Sequence, residues 1–115
     1  MSNFRYRLRE SVQILATGEG DVKNRLMLAG TNHLIFANIP ENESIPQYFR
    51  TKLESILQTL TVKEWGENLE GDKIRATLHR MRFKTGSKIA FEIWNLYNEY
   101  EEFLKSDFIP FEKNS

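Results

Sequence analysis

The residues richest in chemical potential sit together between positions 73 and 88: Lys73, Arg75, Arg80, Arg82, Lys84 and Lys88, with His79 among them and no Asp or Glu in the stretch. Six cations at this density can neutralise successive phosphates of a nucleic-acid backbone. At 100° per residue, Arg75, His79 and Arg82 flank one side of a narrow Ile74/Leu78/Met81 stripe, and Lys73, Arg80 and Lys84 flank the other. The helix carrying them is expected to be basic on two ridges. The adjoining Thr85-Gly86-Ser87-Lys88 would set the Gly86 and Ser87 amides at a helix start, where an anion can dock. The alternative is a solvated surface on which these cations pair with Glu64, Glu67, Glu70, Glu92 or Glu99, because exposed ion pairs are common and individually weak. Phe83 points away from the apolar stripe, between the ridges, where it either stacks on a base or marks the end of the helix.

His79 is the better of two histidines for acid–base chemistry, through its basic surroundings. Arg75-Ala-Thr-Leu-His79 resembles the Arg-then-His motif of the small helical HEPN ribonucleases but sets the two residues closer together, so that likeness fails at its defining spacing. A metal-independent ribonuclease remains a second alternative. His33 lies on an apolar stripe between Ala29 and Phe36 with no carboxylate or second histidine at helical ligand spacing, and reads as a satisfied core histidine. Glu92, Glu99, Glu101 and Glu102 have no histidine beside them and read as a solvated acidic face, not a di-metal site. Lys84-Thr85-Gly86 and Thr85-Gly86-Ser87-Lys88 lack the companion motifs of a β-lactamase and a phosphate-binding loop. With no cysteine in the chain, thiolate metal sites and thiol nucleophiles are excluded; no catalytic residue, cofactor or metal is assigned.

Five segments of helical apolar spacing must position these groups. Phe4, Leu8, Val12 and Leu15 share one face of a first helix that Gly18 can end, and Asp21 can cap a second whose core face is Val22, Leu26, Ala29, His33 and Phe36. Ser44-Ile45-Pro46-Gln47 has the form of a capping box opening a third helix. Its apolar arc, about 120° wide, holds Ile45, Phe49, Leu53, Ile56, Leu57 and Leu60. Residues 62–71 form the longest connection. Asp72 can cap a fourth helix with Ile74, Leu78 and Met81 inward, and Thr85 a fifth running through Ile89, Ile93, Leu96, Tyr97, Tyr100 and Leu104. The fifth helix has the widest apolar arc, about 180°, and is expected to be the spine of the bundle. No alternating pattern of the kind a sheet requires is present.

The fold expected is all-α: a compact bundle of about five helices over residues 1–105, with residues 106–115 a docked aromatic tail after Pro110 forbids further helix. A chain of 115 residues, 40% of them apolar, can bury such a core without disulfides or metal. The chain carries 16 basic and 16 acidic side chains, yet residues 73–88 are wholly basic while residues 92–107 hold five acids and one lysine. Zero net charge here is a sum of opposites and excludes neither an acidic nor a nucleic-acid partner. The opening MSNFRYRLRE lacks a signal-peptide core and no apolar run approaches a membrane span, so a cytoplasmic protein without membrane contact is expected.

LATGEGDVKNRL and IRATLHRMRFKTGSKIA resemble segments of small bacterial single-domain proteins of similar length. That likeness implies a bacterial, cytoplasmic, single-domain protein and no function. With no nucleophile, metal set or cofactor loop, the reading the residues support is a non-enzymatic helical interaction or accessory subunit, with a protein partner or self-association expected. Its interface candidates are the outward aromatics Trp65, Phe91 and Trp94 and the tail residues Phe108 and Phe111. The alternative is a nucleic-acid-binding subunit using Lys73, Arg75, His79, Arg80, Arg82, Lys84 and Lys88.

Overall fold

The computed structural model describes residues 3–39, 45–61 and 70–106, those of 70–73 and 106 in their backbone only. Among the described residues the architecture is an all-α bundle of five helices, α1 (Asn3–Thr17), α2 (Val22–Asn32), α3 (Gln47–Leu60), α4 (Glu70–Arg80) and α5 (Phe83–Ser106), with a 3-10 turn at Leu34–Phe36. Among the described residues there is no strand. Trp65, Phe108 and Phe111 lie outside the described residues, as does the docking of the tail.

α1 and α2 form an antiparallel pair because the turn between them is built for it. Gly20 adopts φ +85°, a left-handed conformation that side chains with a Cβ resist. Asp21 then caps α2, its carboxylate accepting from the Asn24 amide at 2.9 Å. Arg25, one turn into α2, donates to the Leu15 carbonyl at 2.9 Å and closes the open end of α1. α2 packs on α1, α4 and α5, while α5 packs on α1, α2 and α3. Gly30 permits the approach of α4: a Cβ there would stand 3.1 Å from the Ile74 Cδ1.

The core runs along α5 as expected, through Ile89, Ile93, Leu96 and Tyr100, all nearly inaccessible. Tyr100 is its aromatic hub. Its ring meets Phe4 of α1 at 4.8 Å and Phe49 of α3 at 5.3 Å, both edge to face, and Phe49 in turn lies 5.5 Å from Phe103. The buried stripe of α1 is Phe4, Leu8 and Ser11, with Val12 and Leu15 only partly covered. Ser11 tolerates burial because its hydroxyl donates to the Arg7 carbonyl at 2.8 Å.

Four expectations about helix ends and faces are corrected. α2 stops at Asn32, and His33 (φ −135°) turns the chain into the 3-10 segment. Leu34 thereby becomes fully buried and Phe36 turns outward. α3 begins at Gln47 with Pro46 at its cap position and no side-chain cap there, so Gln47 is the first helical residue; Ser44, the other half of the expected capping box, lies outside the described residues. α4 starts at Glu70 instead of after Asp72. α5 starts at Phe83 instead of after Thr85, so Phe83 stands at the junction of two helices.

Phe36 gains a different role outside the core. The Arg7 guanidinium sits 5.3 Å from its ring and 5.5 Å from that of Tyr6. The same guanidinium donates to the Asn32 carbonyl and to His33 Nδ1, each at 3.1 Å. A guanidinium only donates, so His33 accepts at Nδ1 and carries its proton on Nε2. Burial first, and the Arg7 charge second, hold the His33 pKa below its ordinary 6.5. Below pH 6.5 the unfolded chain therefore binds more protons than the folded one. The stability His33 contributes is complete above that pH and declines as pH falls toward its lower folded value. Urea midpoints at pH 7.5 and pH 5 should fall further in the native chain than in His33→Gln; equal declines would refute this account.

Candidate functional site

The segment from 73 to 88 folds as the last turns of α4, a sharp corner at Met81–Arg82 and the first turns of α5. The corner is tight because the Met81 amide already bonds the Leu78 carbonyl at 3.1 Å while the Gly86 amide bonds that of Arg82 at 3.0 Å. The latter bond corrects the anion cradle expected at Gly86 and Ser87: with α5 beginning at Phe83, the Gly86 amide is taken and both residues stand inside the helix. Ile74, Ala76, Thr77 and Leu78 are buried, whereas Arg75, His79, Arg80, Arg82, Lys84 and Lys88 are all exposed. Lys73 is described in its backbone only.

The acidic half of α5 does not neutralise this corner. Glu101 is held by Arg5 of α1, with guanidinium–carboxylate contacts of 2.8 and 3.1 Å. Glu99 accepts from the Tyr48 hydroxyl of α3 at 2.8 and 3.0 Å, a bond that raises the phenol pKa above its ordinary value of 10. Glu101 thus turns toward α1 and Glu99 toward α3. Among the described residues, no carboxylate forms an ion pair with Arg80, Arg82, Lys84 or Lys88. The distribution is bipolar along α5: cations at its start, and toward its end carboxylates of which Glu99 and Glu101 are engaged by neighbouring helices.

Two further residues join the corner. Lys23 of α2 places its ammonium 5.0 Å from the Phe83 ring, which is 56% exposed. Lys23 also lines, with Asn24 and Met27, a groove of about 220 Å³ whose opposite wall is Arg75 and His79 and whose floor includes Leu78. Cations from α2 and α4 therefore face one depression beside an exposed aromatic ring. Lys23 was beyond sequence reasoning. Its only local signal is a place beside Val22 on the flank of an apolar stripe, and nothing in that spacing says that α4 lies across from it. A second concavity, between residues 37–39 and α3, holds Arg50 and Glu54 at its mouth and gathers no set of like charges.

The chain matches no protein-family model, no curated protein and no solved structure. The likeness of two segments to small bacterial proteins consequently carries no family assignment, and the functional reading rests on the site alone. Among the described residues no three His, Asp or Glu side chains gather as a metal site, and no helix is long and apolar enough to cross a membrane.

Phe91 and Trp94 form the remaining feature. They are 59% and 49% exposed on the outer face of α5, their rings stacked at 6.0 Å with planes 22° apart. Phe91 continues the line of Lys84 and Lys88 along that face, and Trp94 flanks it.

Proposed function

We propose that this chain is a non-enzymatic helical binding subunit that holds single-stranded nucleic acid by its phosphates at the α4–α5 corner. What carries the reading is the outward, unneutralised set of cations there: Arg80, Arg82, Lys84 and Lys88 are exposed and make no ion pair with a described carboxylate. Lys23 of α2 and Arg75 of α4 line the groove beside that set. Phe83 offers an exposed ring on which a base can stack without regard to its identity. This combination of cations tracking the backbone and an aromatic platform suits a flexible strand better than a rigid duplex. Binding without base-edge contacts predicts weak sequence preference.

Fluorescence anisotropy of a labelled oligonucleotide, read across a salt series, tests the proposal. Four backbone contacts, by Lys23, Arg75, Arg80 and Arg82, predict a slope of log K against log salt of about −3, at about −0.7 per contact on a single strand. The dissociation constant expected at physiological salt is about 10⁻⁴–10⁻⁶ M. No binding at low salt, or binding indifferent to salt, overturns the reading. The bound RNA should also be recovered intact; metal-independent cleavage that vanishes in His79→Ala would make the protein a ribonuclease instead.

A further inference from the structure

We propose that the chain pairs with a second copy of itself, the outer faces of two α5 helices lying antiparallel about a two-fold axis near residues 93 and 94. At 100° per residue, Lys84, Lys88, Phe91, Asn95 and Glu102 fall within a stripe about 60° wide on that face, with Glu99 at its margin and Trp94 on its other side. A two-fold axis perpendicular to both helices reverses direction and keeps each flank facing the same flank of the partner, so residues whose numbers add to a constant meet. A sum of 186 or 187 sets Lys84 against Glu102 of the partner subunit and Lys88 against Glu99 of the partner subunit, each contact occurring twice. The same register brings the stacked Phe91 and Trp94 to the centre, against the same two rings of the other copy.

Charge complementarity is what selects this occupant. A parallel pair would bring Lys84 and Lys88 against their own copies, and like charges repel. The antiparallel arrangement satisfies both ends at once from a single sequence, as an isologous interface must. Phe91 and Trp94 supply the central apolar anchor, and the lysine–glutamate contacts at the rim fix register. Glu99 already accepts from Tyr48, which holds its carboxylate in place at the edge of this face. Lys84 and Lys88 of the corner enter the contact, whereas Lys23, Arg75, Arg80 and Arg82, the four cations counted above as phosphate contacts, stay outside it.

The contact extends over about 27 Å of helix, from residue 84 to residue 102 at about 1.5 Å per residue. One helix pair of that length sits at the small end of specific interfaces, so pairing is expected at tens to hundreds of micromolar and not at nanomolar concentration.

Light scattering on the full chain, free of nucleic acid, from about 10 μM to about 1 mM reads the outcome. The expected mass rises from 13.6 kDa toward twice that value. Phe91→Ala with Trp94→Ala should remain monomeric throughout while retaining the native helical circular dichroism, because both rings are exposed in the single chain. The deciding arm is a charge exchange: Lys84→Glu with Lys88→Glu in one preparation and Glu99→Lys with Glu102→Lys in another. Each alone should be monomeric, and an equimolar mixture should regain the dimer. A native chain monomeric to 1 mM, whatever covers the aromatic pair, overturns the proposal. So does a dimer indifferent to the aromatic substitutions, or exchange variants that do not associate when mixed.

Discussion

Phe49→Ala is expected to destabilise the protein by about 3–5 kcal/mol, the range for deleting a buried aromatic ring that its surroundings cannot refill. Phe49 is 5% exposed and is the residue through which α3 enters the aromatic cluster. Its ring contacts Tyr100 and Phe103 on α5, whose rings are shared with Phe4 on α1 through Tyr100. Edge-to-face geometry adds to the area term, and both are lost together. The collapse that would fill the cavity is opposed on the far side, where Tyr100 is already engaged by Phe4. Against a total stability of about 5–15 kcal/mol, such a loss removes a large share of the native population's margin. Urea denaturation checks it: the midpoint should fall with the slope unchanged, and a loss below 1 kcal/mol would mean that α3 is not anchored through this ring.

Arg80→Glu with Arg82→Glu is expected to weaken binding of a single-stranded oligonucleotide about 10²-fold at low salt and to flatten the salt slope by about 1.4, the equivalent of two lost phosphate contacts. Both side chains are exposed at the corner, and neither pairs with a described carboxylate whose release could compensate. Reversal therefore removes two attractions and adds two repulsions to phosphate. Arg80 occupies the last turn of α4, where a cation complements the helix dipole, so the glutamate will also loosen that end slightly. Arg80→Gln with Arg82→Gln separates the two effects: affinity should still drop, by less, with the helical circular dichroism unchanged. Lys52→Glu, on the exposed face of α3, lowers the net charge by two, as Arg80→Gln with Arg82→Gln does, and as the control for net charge should leave the affinity nearly intact. Equal losses for Lys52→Glu and the glutamine variant would show that bulk charge, not this site, governs binding.

The apolar face of α3 was legible residue by residue because its spacing is regular and its flanks are polar: Phe49, Leu53, Ile56 and Leu60 are the residues buried. The same holds for Ile89, Ile93, Leu96 and Tyr100 on α5. Asp21 was legible as a cap since a carboxylate preceding an apolar period satisfies a free amide within three residues. Periodicity misled at the end of α2. There it extrapolated a straight helix through His33 to Phe36, whereas Arg7, 26 positions earlier in the chain, captures the His33 ring and draws Phe36 over its own guanidinium. The start of α5 was misplaced for a related reason. Thr85 looks like a cap locally, but the helix starts three residues earlier than such a cap would set it, its first backbone bond running from the Gly86 amide to the Arg82 carbonyl.

Composition and spacing within a turn or two of chain were enough for the all-helical class, the five helices among the described residues and the basic character of residues 73–88. Tertiary structure alone decided where the charges go. Whether Glu101 answers Arg5 or Arg82 depends on which helices α5 touches, and a guanidinium and a carboxylate interact over a few ångströms even though Arg5 and Glu101 are 96 positions apart in the chain. The bundle sets Glu101 of α5 against α1 and Glu99 against α3 and leaves the cations of the corner facing water, joined there by Lys23 from a helix that no local pattern links to them.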